Sequence, residues 1–169
     1  MSQSNNTKHK ERVALVRTFI RSEQGIGIDI GCGHMKFNEK VIRFDKDKNV
    51  GADTVGDARD LSRYKDEKFD FIVSIHCLEH LADTKKVLKE WSRTLRKGGV
   101  MIIIVPDEEM KEHTILEKGH KVAFRKNTMR KLLKYYLGYK VVECRNPVEL
   151  KDNKNRGDIL CVAFKRNNI

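Results

Sequence analysis

Ile26-Gly27-Ile28-Asp29-Ile30-Gly31-Cys32-Gly33 is the stretch whose reading decides the fold. Residues 26–30 read as a short strand buried on both faces of a parallel sheet. Gly31 and Gly33, one residue apart, let the backbone turn tightly and approach a ligand with no Cβ in the way. An α/β sheet presents a nucleotide site in this manner, at the carboxyl end of its first strand. A plain strand ending in a glycine turn fits the same eight residues, so the rest of the chain must discriminate.

Upstream, Val13, Val16 and Ile20 recur at helical spacing, with Leu15 and Phe19 widening the stripe, and predict a helix over about 9–22. Downstream, residues 34–40 leave room for two turns of helix at most before a second strand, Val41 to Phe44, closed by Asp45. A third short strand near Thr54–Val55 meets Gly56-Asp57-Ala58. The Asp57 carboxylate could accept from the exocyclic amine of a base, and the Ala58 N–H could donate to a ring nitrogen. An Asp-capped turn is the simpler alternative there. Phe69 to Ile75 is a fourth strand, running into His76-Cys77-Leu78-Glu79-His80.

A helix follows, capped by Asp83 or Thr84. Val87, Leu88, Trp91 and Leu95 form its inner face, and Lys97-Gly98-Gly99 ends it. Val100 to Val105 is the most apolar strand. Residues 107–126 read as a polar loop at the carboxyl edge of the sheet, where a substrate lid belongs. Asn127 or Thr128 caps the next helix, which buries Met129, Leu132, Leu133, Tyr136 and Leu137 and stops at Gly138. Tyr139 to Glu143 and Ile159 to Lys165 are the last strands, and no helix fits the polar segment between them, so they pair antiparallel. Five strand–helix alternations and a terminal hairpin predict an α/β three-layer sandwich. Its sheet is doubly wound and Rossmann-like, seven-stranded and mostly parallel, with an antiparallel last strand.

The 169 residues suit one domain with one core, preceded by a loose basic tail at about 1–10. That tail lacks the apolar centre of a signal peptide, and no apolar run approaches a membrane span, so the expected location is the cytoplasm. The four cysteines, Cys32, Cys77, Cys144 and Cys161, form no C-x-x-C pair, and no histidine sits at zinc-finger spacing. Neither a structural metal nor a disulfide is expected. The net charge of +11 attracts anions, nucleic acid among them, without sequence specificity. Lysines scattered along the whole chain also fit a merely soluble surface.

The order of motifs resembles the class I S-adenosylmethionine-dependent methyltransferases of the compact type, over about residues 25–165. Asp29-Ile30-Gly31-Cys32-Gly33 is similar to the family's acidic-x-Gly-x-Gly loop, Asp45 falls at its ribose-binding position, and Gly56-Asp57-Ala58 is similar to its adenine-reading segment. Phe69 through Leu81 resembles its fourth-strand signature, and Leu95 through Val100 with Val105-Pro106 its helix-to-strand turn. Gly119-His120 through Gly138-Tyr139 looks like its C-terminal segment. The resemblance implies S-adenosyl-L-methionine as cofactor, held by Asp29, Gly31, Cys32, Gly33, Asp45, Asp57, Ala58 and His76. Asp47 competes with Asp45 for the ribose position, and Asp45 is preferred because it directly ends the strand.

The same resemblance implies methyl transfer to a small molecule or glycan-like acceptor. An RNA-binding or RNA-methylating protein is the alternative that the charge suggests. The Asn/Asp-Pro-Pro-aromatic tetrad of amino-directed nucleic-acid methyltransferases is absent, and His76-Cys77 stands in its place. A nicotinamide loop would want a third glycine where Lys36 stands, and no Gly-Lys-Ser/Thr follows the first strand to make a phosphate loop. If the acceptor must lose a proton, His76 is the first candidate base, with His120 in the polar loop as the second.

Overall fold

β-Branched and aromatic runs pair into one seven-stranded sheet in the computed structural model, which describes residues 3–20, 25–34, 40–110, 117–150 and 157–167. Only the backbone is described at 3–9. The strands are β1 (Gly27–Ile30), β2 (Val41–Asp45), β3 (Thr54–Val55), β4 (Phe69–Ile75), β5 (Leu95–Pro106), β6 (Lys140–Arg145) and β7 (Asp158–Phe164). Their order across the sheet is β3-β2-β1-β4-β5-β7-β6. β1 to β5 run parallel, and β7 enters antiparallel between β5 and β6. The order in which strands are added therefore switches from one side of β1 to the other between β3 and β4, and the β1–β4 boundary is the position at which open α/β sheets carry their ligands.

Alternate side chains of the central strands feed two cores. Phe71, Val73, Ile75, Val100, Ile102 and Ile104 meet Val13 and Val16 of helix α1 (Gln3–Arg17) on one face. Ile28, Ile72, Met101 and Ile103 meet Val87, Leu88 and Trp91 of helix α2 (Thr84–Thr94), together with Met129 of helix α3 (Lys126–Lys131), on the other. Val87, Leu88 and Trp91 are at most 1% exposed, and burying each such side chain stabilises by about 1.5–3 kcal/mol. The expected three layers are present.

Several boundaries differ from the sequence reading. α1 begins at Gln3, inside the stretch read as a tail, and ends at Arg17 rather than about residue 22. There the Thr18 hydroxyl and N–H both donate to the Leu15 carbonyl, at 2.7 and 3.1 Å, and turn the chain out of the helix. Leu95 belongs to β5 and not to the preceding helix: it pairs with Phe69 before the register shifts and Val100 pairs with Phe71. Asp83 holds the N-cap position of α2 but its side chain makes no capping bond.

Five strand–helix alternations are not found among the described residues. β2 reaches β3 through one 3₁₀ turn, Lys48–Val50, and β3 reaches β4 through turns alone. These links are held by side chains instead: Asp47 caps the 3₁₀ turn, and Arg93 and Glu90 of α2 bond the backbone of 61–64. The short helix expected at 34–40 falls largely outside the described residues. α3 starts at Lys126, with Arg125 and not Asn127 or Thr128 at its N-cap, and widens into a π-type turn over Leu132–Tyr136.

Candidate active site

At the carboxyl ends of β1, β2 and β4 lies a cleft of about 690 Å³. Gly31, Asp45, Gly56, Asp57, Ala58, His76, Cys77, His80 and Lys121 are among the residues that line it. Its size falls in the range of roughly 300–1,000 Å³ typical of small-molecule sites.

The glycine loop forms its floor. Gly31 has φ +78°, and a Cβ built there would lie 2.5 Å from the Cβ of Cys77. Backbone shape and the neighbouring strand therefore both demand glycine. The Gly31 N–H donates to the Phe44 carbonyl at 2.8 Å, and the Gly33 N–H donates to Asp45 Oδ2 at 2.9 Å. Asp45 Oδ1 accepts from the Asp47 N–H at 3.0 Å. Asp45 thus stitches the tips of β1 and β2 together while facing the cleft, and Asp47 spends its own carboxylate on capping the next turn. Of the two aspartates weighed for the ribose position, Asp45 alone lines the cleft.

The wall opposite is Gly56-Asp57-Ala58. Gly56 N–H donates to the Asp45 carbonyl at 2.9 Å, and the buried Trp91 indole N–H donates to the Ala58 carbonyl at 2.8 Å. Asp57 is half exposed and pairs with Arg59 at 2.5 Å, and this bond holds its carboxyl below the usual range. The charge on Asp57 is therefore in place at neutral pH.

Three expected cofactor residues sit behind the cleft. Asp29 is 4% exposed, beneath the glycine loop and beside Arg43 in the β1–β2 ladder. Burial pushes its carboxyl up to about 7, against the pull of the Arg43 charge and with a further push from Asp45. Cys32 is buried, and its thiol bonds the Gly33 carbonyl. Gly33 takes part through the bond its N–H makes with Asp45. Burial, joined by nearby carboxylates, pushes the thiols of Cys32 and Cys77 up to about 12, so neither is a nucleophile at neutral pH.

His76 lines the cleft and is held between two carboxylates. It adopts φ +52° at the end of β4, with Nδ1 3.2 Å from Glu79 Oε1 and Nε2 3.0 Å from Asp158 Oδ1. Burial opposes charge on the ring, yet the two carboxylates outweigh it and push the imidazolium up to about 9. The two carboxylates favour the charged ring, so His76 would have to release that proton before serving as the base expected from the sequence. His120 stands away from the cleft lining, stacked edge-on against His80 at 4.8 Å between ring centroids.

Sequence reasoning missed the supports. Arg43 is 5% exposed and reaches the carbonyls of Gly33, at 2.9 Å, and of Val50 and Gly51. A cation inside the apolar run Val41 to Phe44 was the available signal. Asp158, from the last strand, binds Arg12 of α1 at 2.8 Å as well as His76. Nothing local in the sequence announces that contact, which joins positions 146 residues apart.

Comparison with known proteins agrees with this geometry. A family model described as a methyltransferase domain matches residues 23–103. Ajmaline N-methyltransferase of Rauvolfia serpentina is 46% identical over 50 residues, which are 30% of this chain and only 17% of that protein's length. An uncharacterized protein of Methanocaldococcus jannaschii is 26% identical over 159 residues, covering 89% of this chain and 75% of its own. A chain in the complex between the Haloferax volcanii Trm112 methyltransferase activator and a methyltransferase superposes with TM-score 0.81 at 17% identity. It covers 99% of this chain and 93% of its own.

Proposed function

We propose that this chain is a class I S-adenosylmethionine-dependent methyltransferase, a reading supported by the methyltransferase-domain match over residues 23–103, and that it transfers a methyl group to a small-molecule or glycan-like acceptor bound in the cleft. The observation that carries the proposal is the convergence of Gly31, Asp45, Asp57 and Ala58 on one cleft at the strand tips.

The residues fit the cofactor. A Cβ at Gly31 would fill the floor, and one at Gly56 would lie 2.7 Å from the Phe44 ring. Asp45 and Asp57 offer acceptors for hydroxyl and amine protons from adjacent walls, and the Ala58 N–H offers a donor beside them. S-adenosylmethionine supplies a methyl carbon on a positively charged sulfur, and in-line attack by an acceptor lone pair returns the C–S electrons to that sulfur. The protein's part is placement and exclusion of water, which together account for about 7–11 kcal/mol of barrier in well-oriented systems. Trp91, Arg43 and Asp45 supply that rigidity by fixing Ala58, the Gly33 carbonyl and the Gly33 N–H. His76, tied to Asp158 and Glu79, fixes the exit of β4.

The cleft volume supports a small acceptor, as does the relative named for N-methylation of ajmaline. The net charge of +11 predicts salt-dependent attraction to nucleic acid but selects no acceptor, so the RNA reading is not preferred. A screen of small hydroxyl and amine acceptors for release of S-adenosylhomocysteine tests the proposal. Release that depends on one acceptor, and that needs more S-adenosylmethionine with Asp57→Ala, supports it. Release with RNA alone contradicts it.

A further inference from the structure

The carboxylate of Glu79 is 1% exposed, and neither of its oxygens receives a hydrogen bond. His76 Nδ1 stands at ion-pair distance, 3.2 Å from Oε1, without making a hydrogen bond to it. His76 balances part of its charge, but a buried carboxylate whose two oxygens both lack a hydrogen bond stays costly, and a directly coordinated cation would relieve that cost. Two imidazoles lie beside it. The ligand atoms of Glu79, His80 and His120 are all within 4.8 Å of one another.

The local backbone assembles this cluster. The 3₁₀ turn Leu78–His80 presents Glu79 and His80 together. The Glu79 carbonyl accepts from the N–H groups of Lys121 and Val122, at 2.7 and 3.1 Å, and so draws His120 across from a segment 40 residues on. His80 Nδ1 is 3.0 Å from the Gly119 carbonyl. A carbonyl only accepts, so Nδ1 carries the proton and the Nε2 lone pair is left as a ligand.

We propose that Glu79, His80 and His120 bind one divalent first-row transition-metal ion at the rim of the cleft. Two imidazoles and one carboxylate are the set that holds catalytic zinc in three-ligand sites, with further positions left to water or substrate. Magnesium and calcium prefer all-oxygen shells, whereas imidazole nitrogen selects zinc, cobalt or iron. Ligand atoms around one such ion lie roughly 3–4 Å apart, so the cluster closes by roughly an ångström on loading. His80 and Lys121 also line the cleft, which puts the ion beside the space an acceptor enters. An acceptor with a hydroxyl oxygen is the class such an ion suits, because coordination eases loss of the hydroxyl proton. That last point rests on the methyl-transfer reading; metal binding itself does not.

The test is titration of the chelator-stripped full chain with Co²⁺, read by visible d–d absorption and by metal analysis after dialysis. The expected result is one Co²⁺ per chain, with affinity at least about tenfold weaker in each of Glu79→Gln, His80→Ala and His120→Ala. The exposed His34→Ala should leave it unchanged. Glu79→Gln keeps the side-chain shape, and X-ray absorption on the wild type, reporting two imidazole nitrogens, covers a variant that fails to fold. No binding, or binding that survives all three substitutions, overturns the proposal. Because the readout is spectroscopic, failure here leaves the methyl-transfer reading standing, and failure of methyl transfer leaves this site standing.

Discussion

Replacing Gly31 by alanine adds a single methyl group just past the end of β1, against Cys77 just past the end of β4. Two costs arise. The residue sits at φ +78°, where an L side chain costs about 1–2 kcal/mol. Its Cβ would also lie 2.5 Å from Cys77 Cβ, against an optimum of roughly 3.5–4.0 Å for two carbons. The Cys77 Cβ is anchored to a β4 terminus that cannot simply swing aside, so overpacking adds about 1–3 kcal/mol. The sum, about 2–5 kcal/mol, lowers the melting temperature by roughly 4–20 °C for a chain of this size. Gly33→Ala is the internal control. Its φ is +52°, but nothing lies within 4 Å of the added Cβ, so only the backbone cost of about 1–2 kcal/mol applies. Urea denaturation of the three proteins gives the difference directly. Equal losses for the two variants, or none for Gly31→Ala, would refute the claim that Cys77 closes the floor of the cleft.

Arg43→Met should destabilise by about 3–5 kcal/mol in the same assay, since it strands the carbonyls of Gly33, Val50 and Gly51 and removes the positive charge beside Asp29. Asp29 makes stability fall with pH. Its folded value of about 7 lies above the ordinary carboxylate value of 3.8. The folded protein therefore holds a proton that the unfolded chain gives up, and stability is lost as pH rises from about 4 to about 7, by roughly 4 kcal/mol in all. Asp29→Asn should flatten that part of the curve, and an unchanged curve would contradict the burial argument. Asp57→Ala should weaken S-adenosylmethionine binding by roughly tenfold by calorimetry, the worth of one charge-assisted hydrogen bond.

Much of the sheet was legible because parallel strands buried on both faces announce themselves as apolar runs, and β1, β4 and β5 are such runs. The glycine loop and the acids at the ends of β2 and β3 were legible because ligand-facing turns need particular residue types at particular spacings. What escaped was carried by contacts distant in sequence. The missing helices around β3 are replaced by Arg93 and Glu90 reaching back from α2. The charge state of His76 depends on Asp158, 82 residues downstream by their numbering, and on Glu79, and sequence alone could not show either carboxylate turned toward it. His120 was noticed as a candidate base, but its neighbours Glu79 and His80 were not, because a 3₁₀ turn and two backbone bonds bring them together.

Hydrogen–deuterium exchange with and without S-adenosylmethionine tests the location of the cofactor most directly. Binding should slow exchange at three separate segments, residues 29–33, 44–46 and 56–58. Binding that leaves these amides unprotected, or no binding at all, would contradict that location.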